Sequence, residues 1–416
     1  MKGGLLTMDR IFQDVADNVA WLSGIGADPT GGTTRLLYSD YWVEAQQGVK
    51  KKMDDAGFTT YFDDIGNLFG RVEGSTYKDE TIMSGSHIDT VVNGGKLDGQ
   101  FGVLAAYLAI KYLKEKHGQP LRNLEVISMA EEEGSRFPYV FWGSKNFFGL
   151  ANKEEMADVA DFEGVKFVDA MRGAGFDFRD ETKPLRDDIK AFVEIHIEQG
   201  KVLENEGKVV GVVNSIAGQR RYTIVLNGES NHAGTTPMGY RKDTVYAFSK
   251  IVSQSIDKAK KLGDPLVLTF GKVEPKPNTV NVVPGETLFT MDCRHTDEAE
   301  LHSFTQEIEQ DMKTICAEMG IDILIDLWMD EAPVPMDPHI VSVLEGVCKK
   351  EGLNYRVMHS GAGHDSQIFA PRVPTAMFFV PSIGGISHNP AEDTKTEDLV
   401  EGVKALTEAL YELAYK

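Results

Sequence analysis

Cysteine is scarce in this 416-residue chain, which contains Cys293, Cys316 and Cys348 and no Cys-x-x-Cys pair. Three thiols without that spacing argue against a disulfide framework and against a zinc ribbon, so we expect them to be buried and reduced. Basic side chains are also in the minority, with 43 Lys and Arg against 64 Asp and Glu and a formal net charge of −21. Such a charge repels phosphate and disfavours nucleic acid and acidic membrane surfaces as partners.

Long apolar runs and internal repeats are absent as well. No stretch reaches the roughly 20 apolar residues that a membrane-spanning helix needs, and the start, Met1 to Arg10, lacks the layout of a secretory signal. We therefore expect a cytoplasmic protein that does not act in a membrane. The length exceeds what one hydrophobic core organises, which predicts two domains, or three at most.

Short apolar runs alternate with amphipathic stretches through most of the chain. The sequence predicts buried strands at Thr81–Ser84, Leu124–Ala130 and Thr375–Val380. In Ala191–Glu198 successive residues face opposite sides of a predicted strand, so the strand aims His196. Strands that alternate with helices in this way favour an α/β fold with reactive groups at the strand ends.

A different order of elements interrupts this pattern between residues 214 and 329. The predicted elements follow the order β-α-β-β-α-β, which is the ferredoxin-like arrangement. They are the strands Arg220–Leu226, Leu266–Val273, Glu286–Arg294 and Ile321–Leu327 and the helices Asp243–Lys260 and Asp297–Met319. We expect an inserted second domain at 214–329, with residues 1–213 and 330–416 forming the first domain.

Histidine and carboxylate side chains recur at or near the ends of the predicted strands. They are His87, Asp98, the run Glu131 to Glu133, His196 and His388. A single His or Asp there is usually a satisfied polar residue, but α/β topology would bring all of these to one edge of the sheet. Imidazole together with carboxylate is a donor set for divalent metals. The sequence therefore predicts a metal site.

The ligand mixture is typical of two-metal sites, in which a carboxylate bridges ions about 3.5–4 Å apart. We assign the bridge to Asp98, because the neighbouring glycines allow the backbone to fold it inward. Asp89 is either the acceptor that orients His87 or an ordinary turn residue. One glutamate of the run is expected to bind metal and a neighbour to act as general base, and the spacing leaves open which is which.

Several longer blocks of the chain resemble a known family. They are Gly-Ser-His87-Ile-Asp89, Leu-Asp98-Gly, Glu-Glu132-Glu133-Gly-Ser-Arg-Phe, His196-Ile-Glu-Gln-Gly, Ser-Asn-His232-Ala-Gly-Thr-Thr-Pro-Met and Ser-His388-Asn-Pro. Together they resemble the M20-type metallopeptidase superfamily, in its amidohydrolase and carbamoylase branch. The resemblance covers nearly the whole chain.

This resemblance implies a catalytic domain with a mixed sheet flanked by helices, and an inserted ferredoxin-like domain that acts as a lid and forms a homodimer. It also implies two divalent ions per subunit, Zn²⁺ or Mn²⁺, because a His and carboxylate site accepts both. The implied ligands are His87, Asp98, Glu133, His196 and His388. Glu132 is implied as the general base, which answers the question that the spacing left open.

In similar enzymes the inserted domain contacts the substrate, and the matching residues here are His232, Asn281 and Arg294. His232 would stabilise the oxyanion, and Arg294 would hold a substrate carboxylate. Without the resemblance, Arg294 is a surface arginine paired with Asp292 or Asp297.

Further residues near the site complete the set of candidates. We expect Gln199, Gln219 and Arg221 to contact the substrate, and a structural role for His364 and Asp365, since the ligand set is complete without them.

The implied activity is hydrolysis of the small ureido carboxylate allantoate to ureidoglycine (or ureidoglycolate after its breakdown), ammonia and CO₂, in purine catabolism. The alternative with the same chemistry is hydrolysis of N-carbamoyl-L-amino acids. A hypothesis of a different class is a metal-free binding or scaffold protein, against which the complete ligand set argues. A further option is a dipeptidase.

Overall fold

The fold comes from a computed structural model that describes residues 8–416. Residues 1–7, part of the start where the sequence predicts no secretory signal, lie outside the described residues. The helices are α1 (Met8–Ser23), α2 (Asp40–Asp55), α3 (Gln100–His117), α4 (Trp142–Phe147), α5 (Lys153–Met156), α6 (Phe167–Gly173), α7 (Val202–Glu206), α8 (Thr244–Leu262), α9 (Glu298–Met319), α10 (Pro338–Glu351), α11 (Ser366–Phe369) and α12 (Thr396–Ala414), with 3₁₀ turns at Met238–Tyr240 and Ile383–Gly385.

The strands are short except for those at the centre of each sheet. They are β1 (Thr59–Phe62), β2 (Leu68–Val72), β3 (Tyr77–His87), β4 (Arg122–Met129), β5 (Ile189–Ile197), β6 (Val210–Ile216), β7 (Gly218–Asn227), β8 (Asn231–His232), β9 (Val267–Thr269), β10 (Val273–Lys276), β11 (Val282–Val283), β12 (Glu286–His295), β13 (Asp322–Glu331), β14 (Val334–Pro335), β15 (Tyr355–Ser360) and β16 (Thr375–Val380).

The described residues form two compact units. Unit 1 comprises residues up to Asn214, Met336–Met358 and Ala362–Lys416, and unit 2 comprises Ser215–Pro335 and His359–Gly361.

Unit 1 is organised by a mixed sheet whose strands run in the order β1-β2-β4-β3-β5-β16-β6. The four in the middle, β4, β3, β5 and β16, are parallel to one another, while β2 and β6 join them antiparallel. The parallel strands are buried on both faces, as strands covered by helices must be. The carboxyl ends of these four strands therefore open onto one edge of the sheet.

Helix α3 covers this sheet, and its own sequence is apolar on most sides because most of its surface is buried. Its first four turns are buried, and it packs against β3 and α12. The helix begins directly after Gly99, whose φ of 63° is left-handed and favours glycine. The loop that carries Asp98 is thus tied to the helix that packs on the sheet.

Unit 2 has an antiparallel sheet in the order β10-β12-β7-β13, with α8 and α9 packed on one face. Along the chain its main elements are β7, α8, β9 with β10, β12, α9 and β13, which matches the predicted β-α-β-β-α-β arrangement. The predicted strand Leu266–Val273 is wrong as a single element. It divides into β9 and β10, which pair with opposite ends of β12 and leave residues 270–272 between them. One long partner strand can hold both pieces, because each needs only a few ladder bonds.

All three cysteines are buried free thiols, as predicted. Within residues 8–416 no helix is both long and apolar enough to cross a bilayer.

Candidate metal centre

The five predicted ligand residues all belong to unit 1 and converge at the carboxyl ends of its parallel strands. His87 ends β3, Glu133 follows β4, His196 lies in β5 and His388 follows β16. Asp98 lies in the loop between β3 and α3. Side chains from four neighbouring strands meet here because parallel strands all end at the same edge.

The first group consists of His87, His196 and Asp98, whose donor atoms all lie within 4.8 Å of one another. His196 Nε2 is 3.1 Å from Asp98 Oδ1, and His87 Nε2 is 3.9 Å from the same oxygen. His196 Nδ1 donates to the Ile197 carbonyl at 2.9 Å, and His87 Nδ1 lies 3.2 Å from Asp89 Oδ1. Both imidazoles therefore turn Nε2 toward Asp98, so Nε2 is the nitrogen that could bind a metal there.

The second group consists of Asp98, Glu133 and His388. His388 Nε2 lies 3.0 Å from Asp98 Oδ2 and 3.3 Å from Glu133 Oε1. Asp98 therefore offers one carboxylate oxygen to each group. Imidazole nitrogens and carboxylate oxygens at this spacing form a donor set that suits divalent cations such as Zn²⁺ or Mn²⁺, so these residues fit a metal.

Burial and charge act in opposite directions on the central carboxylate. Burial raises the pKa of Asp98, but the hydrogen bonds from His196 and His388 outweigh it and hold this pKa well below its ordinary value. Asp98 is thus an anion in the folded protein, the state in which a carboxylate binds metal.

Glu132 lies at the edge of the first group, with Oε2 3.9 Å from His87 Nε2. Burial raises the pKa of its carboxyl well above the ordinary value, and the charges of Glu133, Asp365 and Asp98 add to this rise. A cation bound beside Glu132 would oppose the rise by attracting its negative charge. Glu132 is therefore a protonatable group placed next to the donor atoms.

Asp89 links the imidazole of His87 to the glutamate run. Besides facing His87 Nδ1, its carboxylate accepts the backbone N–H of Glu132 at 3.1 Å and that of Glu133 at 3.1 Å. The sequence allows two roles for Asp89, and the geometry favours the orienting acceptor. The carboxylate contacts both the His87 imidazole and the backbone of the glutamate run, whereas an ordinary turn residue contacts only its own turn.

Gly99 permits the close approach of the Asp98 loop to His87. A Cβ at position 99 would lie 2.2 Å from His87 Nε2, and the backbone there has a positive φ. Any other residue would displace the imidazole or the loop.

Gln199, which we expect to contact substrate, has its amide nitrogen engaged within unit 1. Its Nε2 donates to Asp98 Oδ2 at 2.9 Å and lies 3.2 Å from Ser387 Oγ. Gln199 therefore lies against the central carboxylate.

His364 and Asp365 are buried next to the same strands, in keeping with a structural role. The His364 ring packs edge-on against His196, with centroids 4.5 Å apart. Burial lowers the pKa of His364 well below its ordinary value.

The remaining predicted substrate residues belong to unit 2, in two places. His232 pairs with Val282, and the Ala233 N–H donates to the Asn281 carbonyl at 3.0 Å, so His232 and Asn281 are neighbours. Both side chains are exposed.

Gln219, Arg221 and Arg294 form the other place. Gln219 faces Arg294 across the ladder of β7 and β12, on the side opposite the buried core. Asp292 accepts from Arg221 Nε at 2.8 Å and from Arg294 Nε at 2.9 Å. Arg294 thus has the ion pair that the sequence suggested for a surface arginine.

Two buried residues near the proposed ligands are not among the candidates that the sequence predicts. Glu392 accepts the N–H groups of Leu97 and Asp98, and the fully buried Arg35 donates to the Ile88 carbonyl and to Gln100 Oε1. Neither has a sequence signal beyond its residue type, because the partners lie far away along the chain.

Comparison with known proteins agrees with this geometry. The profile of the peptidase family M20/M25/M40 matches residues 83–412, most of the chain. The chain belongs to this family.

Two relatives of this chain are named allantoate amidohydrolase. The one from Escherichia coli (strain K12) is 65% identical over 404 residues, which cover 97% of this chain and 98% of the relative. The one from Bacillus subtilis (strain 168) is 47% identical over 405 residues, with coverage of 97% and 98%. A crystal structure of an amidase of the hydantoinase/carbamoylase family from Burkholderia multivorans superposes with a TM-score of 0.92 at 32% identity, covering 97% of this chain and 98% of that one.

These findings confirm the predicted family, the α/β fold class with its mixed sheet, and the predicted class of enzyme, a hydrolase of C–N bonds. Members of M20/M25/M40 are metal-dependent, and this chain has side-chain groups that suit a metal.

Proposed function

We propose that the protein hydrolyses allantoate at a ureido carbon, in purine catabolism in the cytoplasm, with two divalent ions per subunit. The main supporting observation is the position of the Asp98 carboxylate, whose Oδ1 faces His87 and His196 and whose Oδ2 faces His388. A carboxylate shared between two donor groups is the arrangement that a pair of ions about 3.5–4 Å apart requires. The relatives named allantoate amidohydrolase support the substrate.

The proposed ligands are His87, His196 and Asp98 for one ion and Asp98, Glu133 and His388 for the other. Zn²⁺ and Mn²⁺ both suit this donor set. When bound, these ions would acidify a water and polarise the ureido carbonyl.

Glu132 supplies the proton transfer in this mechanism. Its carboxylate takes a proton from the attacking water, whose oxygen forms a bond to the ureido carbon. Glu132 then delivers that proton to the departing nitrogen as the C–N bond breaks. The amine product is released, and the carbamate half decomposes to ammonia and CO₂.

The polar residues of unit 2 supply substrate recognition in the proposal. Two guanidinium groups, those of Arg294 and Arg221, share the single carboxylate of Asp292. One positive charge is therefore left to attract a substrate carboxylate. Asn281 and Gln219 of unit 2 offer amide groups, and His232 offers an imidazole to the developing oxyanion. From unit 1, Gln199 offers the amide that lies against Asp98.

Unit 2 also supplies the proposed lid and homodimer contact. Strand β13 forms one edge of its sheet, and Leu324 and Trp328 on it are 62% and 50% exposed. Apolar side chains on an open edge strand favour pairing with a second copy. Light scattering of the wild type beside a Leu324→Lys variant tests the dimer.

The decisive experiment is an ammonia assay on allantoate. The apo protein, the protein reloaded with Zn²⁺ or Mn²⁺, and a reloaded Glu132→Gln variant are compared. We expect full turnover in the reloaded wild type, none in the apo protein, and turnover about 10²- to 10⁴-fold slower in the reloaded Glu132→Gln variant. No ammonia from allantoate with either ion would refute the proposal.

The second candidate is hydrolysis of N-carbamoyl-L-amino acids, favoured by the likeness to the hydantoinase/carbamoylase family amidase. Both substrates carry a ureido group and a carboxylate, so kcat/KM on each distinguishes them. A strong preference for N-carbamoyl amino acids would replace allantoate as the substrate.

A further inference from the structure

Glu392 is a buried carboxylate that touches two of the segments carrying proposed metal ligands. It is 1% exposed and lies four residues after His388. Its Oε1 accepts the backbone N–H of Leu97 at 2.8 Å and that of Asp98 at 3.0 Å. The side chain therefore joins the loop of Asp98 to the loop of His388.

Ser387 extends this connection to the carboxylate of Asp98 itself. Its Oγ lies 2.8 Å from Glu392 Oε2 and 3.0 Å from Asp98 Oδ2. The single hydroxyl proton serves one of these oxygens at a time. Asp98 is thus held at its backbone by Glu392, and its side chain lies within hydrogen-bond distance of Ser387.

Gly95 shows how closely the Glu392 carboxyl is fitted. A Cβ at position 95 would lie 2.0 Å from Glu392 Cδ, so only a glycine leaves room for the carboxyl. The loop backbone therefore packs directly on the group that accepts its N–H bonds.

We propose that Glu392 is a positioning residue, which holds Asp98 and His388 at the spacing that the second ion needs. This inference rests on the proposed function. Without an acceptor at position 392, the buried N–H groups of Leu97 and Asp98 would have to turn elsewhere, and Asp98 Oδ2 would move with them.

The test measures ion affinity by competition with a chromophoric chelator, on the apo protein titrated with Zn²⁺. Glu392→Ala is expected to weaken the second equivalent about 10- to 100-fold, the range for loss of a group that orients a ligand. Glu392→Gln keeps an acceptor oxygen for the two N–H groups and is expected to restore most of the affinity. The visible spectrum of the Co²⁺ form reports the same change independently of turnover.

Asp337→Ala is the matched control. The Asp337 carboxylate also accepts two successive backbone N–H groups, those of His339 and Ile340, where it caps α10. Its loss is expected to lower stability but leave ion affinity unchanged. If Asp337→Ala weakened ion affinity as much as Glu392→Ala does, the effect would follow from lost stability alone, and the inference would be overturned.

Gly95→Ala keeps the test informative if Glu392→Ala does not fold. The added methyl group displaces the Glu392 carboxyl, so the second equivalent is expected to weaken in the same way. Wild-type affinity in either folded variant overturns the role of Glu392 and leaves the proposed function standing. A wild type that binds no ion instead refutes the proposed function.

Discussion

Asp89 Oδ1 lies 3.2 Å from His87 Nδ1 in a fully buried contact. The same carboxylate accepts the N–H groups of Glu132 and Glu133, so the orientation of a proposed ligand and the position of the proposed base depend on one side chain. Loss of this carboxylate should disturb both.

Asp89→Asn removes the charge and replaces one acceptor with an NH₂ group, which opposes the donors that face it. We expect ion affinity to fall about 10- to 100-fold. Chelator competition measures the change. Asp28→Asn, in an exposed turn where Asp28 accepts from Thr30, is the control and should bind like the wild type. An unchanged affinity in Asp89→Asn would return Asp89 to the status of a turn residue.

Glu132→Gln removes the proposed base and keeps the shape of the side chain. We expect kcat to fall about 10²- to 10⁴-fold, because the amide cannot take a proton from water. Metal content, measured by elemental analysis, should stay at the wild-type value. Glu163→Gln, at an exposed position, should keep full activity. Substantial turnover in the Glu132→Gln variant would assign the proton transfer to another group.

Arg294→Ala should raise KM for a carboxylate substrate more than it lowers kcat, because a guanidinium clamp contributes to binding throughout the reaction. Arg294→Lys should restore little, since an ammonium lacks the planar fork. Steady-state kinetics on allantoate measures both. A KM equal to that of the wild type would leave Arg294 as the ion-pair partner of Asp292 alone.

Metal removal should lower stability as well as abolish activity. A cation that binds only the folded state adds about 2.7 kcal/mol when its concentration is 100 times Kd. The apo protein should therefore melt at a lower temperature and recover on addition of Zn²⁺ or Mn²⁺. Ca²⁺, which prefers all-oxygen sites, is the control and should have little effect. Equal melting of apo and loaded protein would contradict the site.

Asp188 provides a pH-dependent contribution to stability. Burial raises its pKa, but hydrogen bonds from Arg186 and Thr81 and the charge of Arg71 outweigh it and lower the pKa to about 2, against an ordinary 3.8. The lowered folded-state pKa means that the stability is present above about pH 4 and is lost as the pH falls toward 2.

Asp188→Asn should therefore lower the urea midpoint at pH 7, and the difference from the wild type should shrink at pH 3. Urea unfolding at the two pH values measures it. Asp177→Asn, at an exposed ion pair with Arg172, should change neither midpoint. A difference that is constant with pH would show that the charge of Asp188 is not responsible.

The predicted strand faces and the predicted metal ligands depend on local patterns that the structure preserves. The alternation in 286–294 places Arg294 away from Phe289, Met291 and Cys293, and the burial pattern of β12 agrees. His87 and His196 were predicted to lie together because parallel strands with apolar runs must end at a common edge.

The predictions were weaker where a residue has two possible partners. The sequence left Asp89 between a turn and an orienting role, and it did not predict that the Gln199 amide donates a hydrogen bond to Asp98. Glu392 was missed, because an acidic residue in a loop is ordinarily exposed.

The sequence by itself determined the fold class, the family and the candidate ligands, because hydrophobic periodicity and short motifs are local properties. Only the tertiary structure decided which oxygen of Asp98 faces which histidine, and that Glu392, Arg35 and Asp89 hold the ligand loops. Those contacts join residues as many as 295 positions apart, as between Leu97 and Glu392. Folding brings residues that are far apart in the sequence into contact, and no local pattern of residue types encodes which of them will meet.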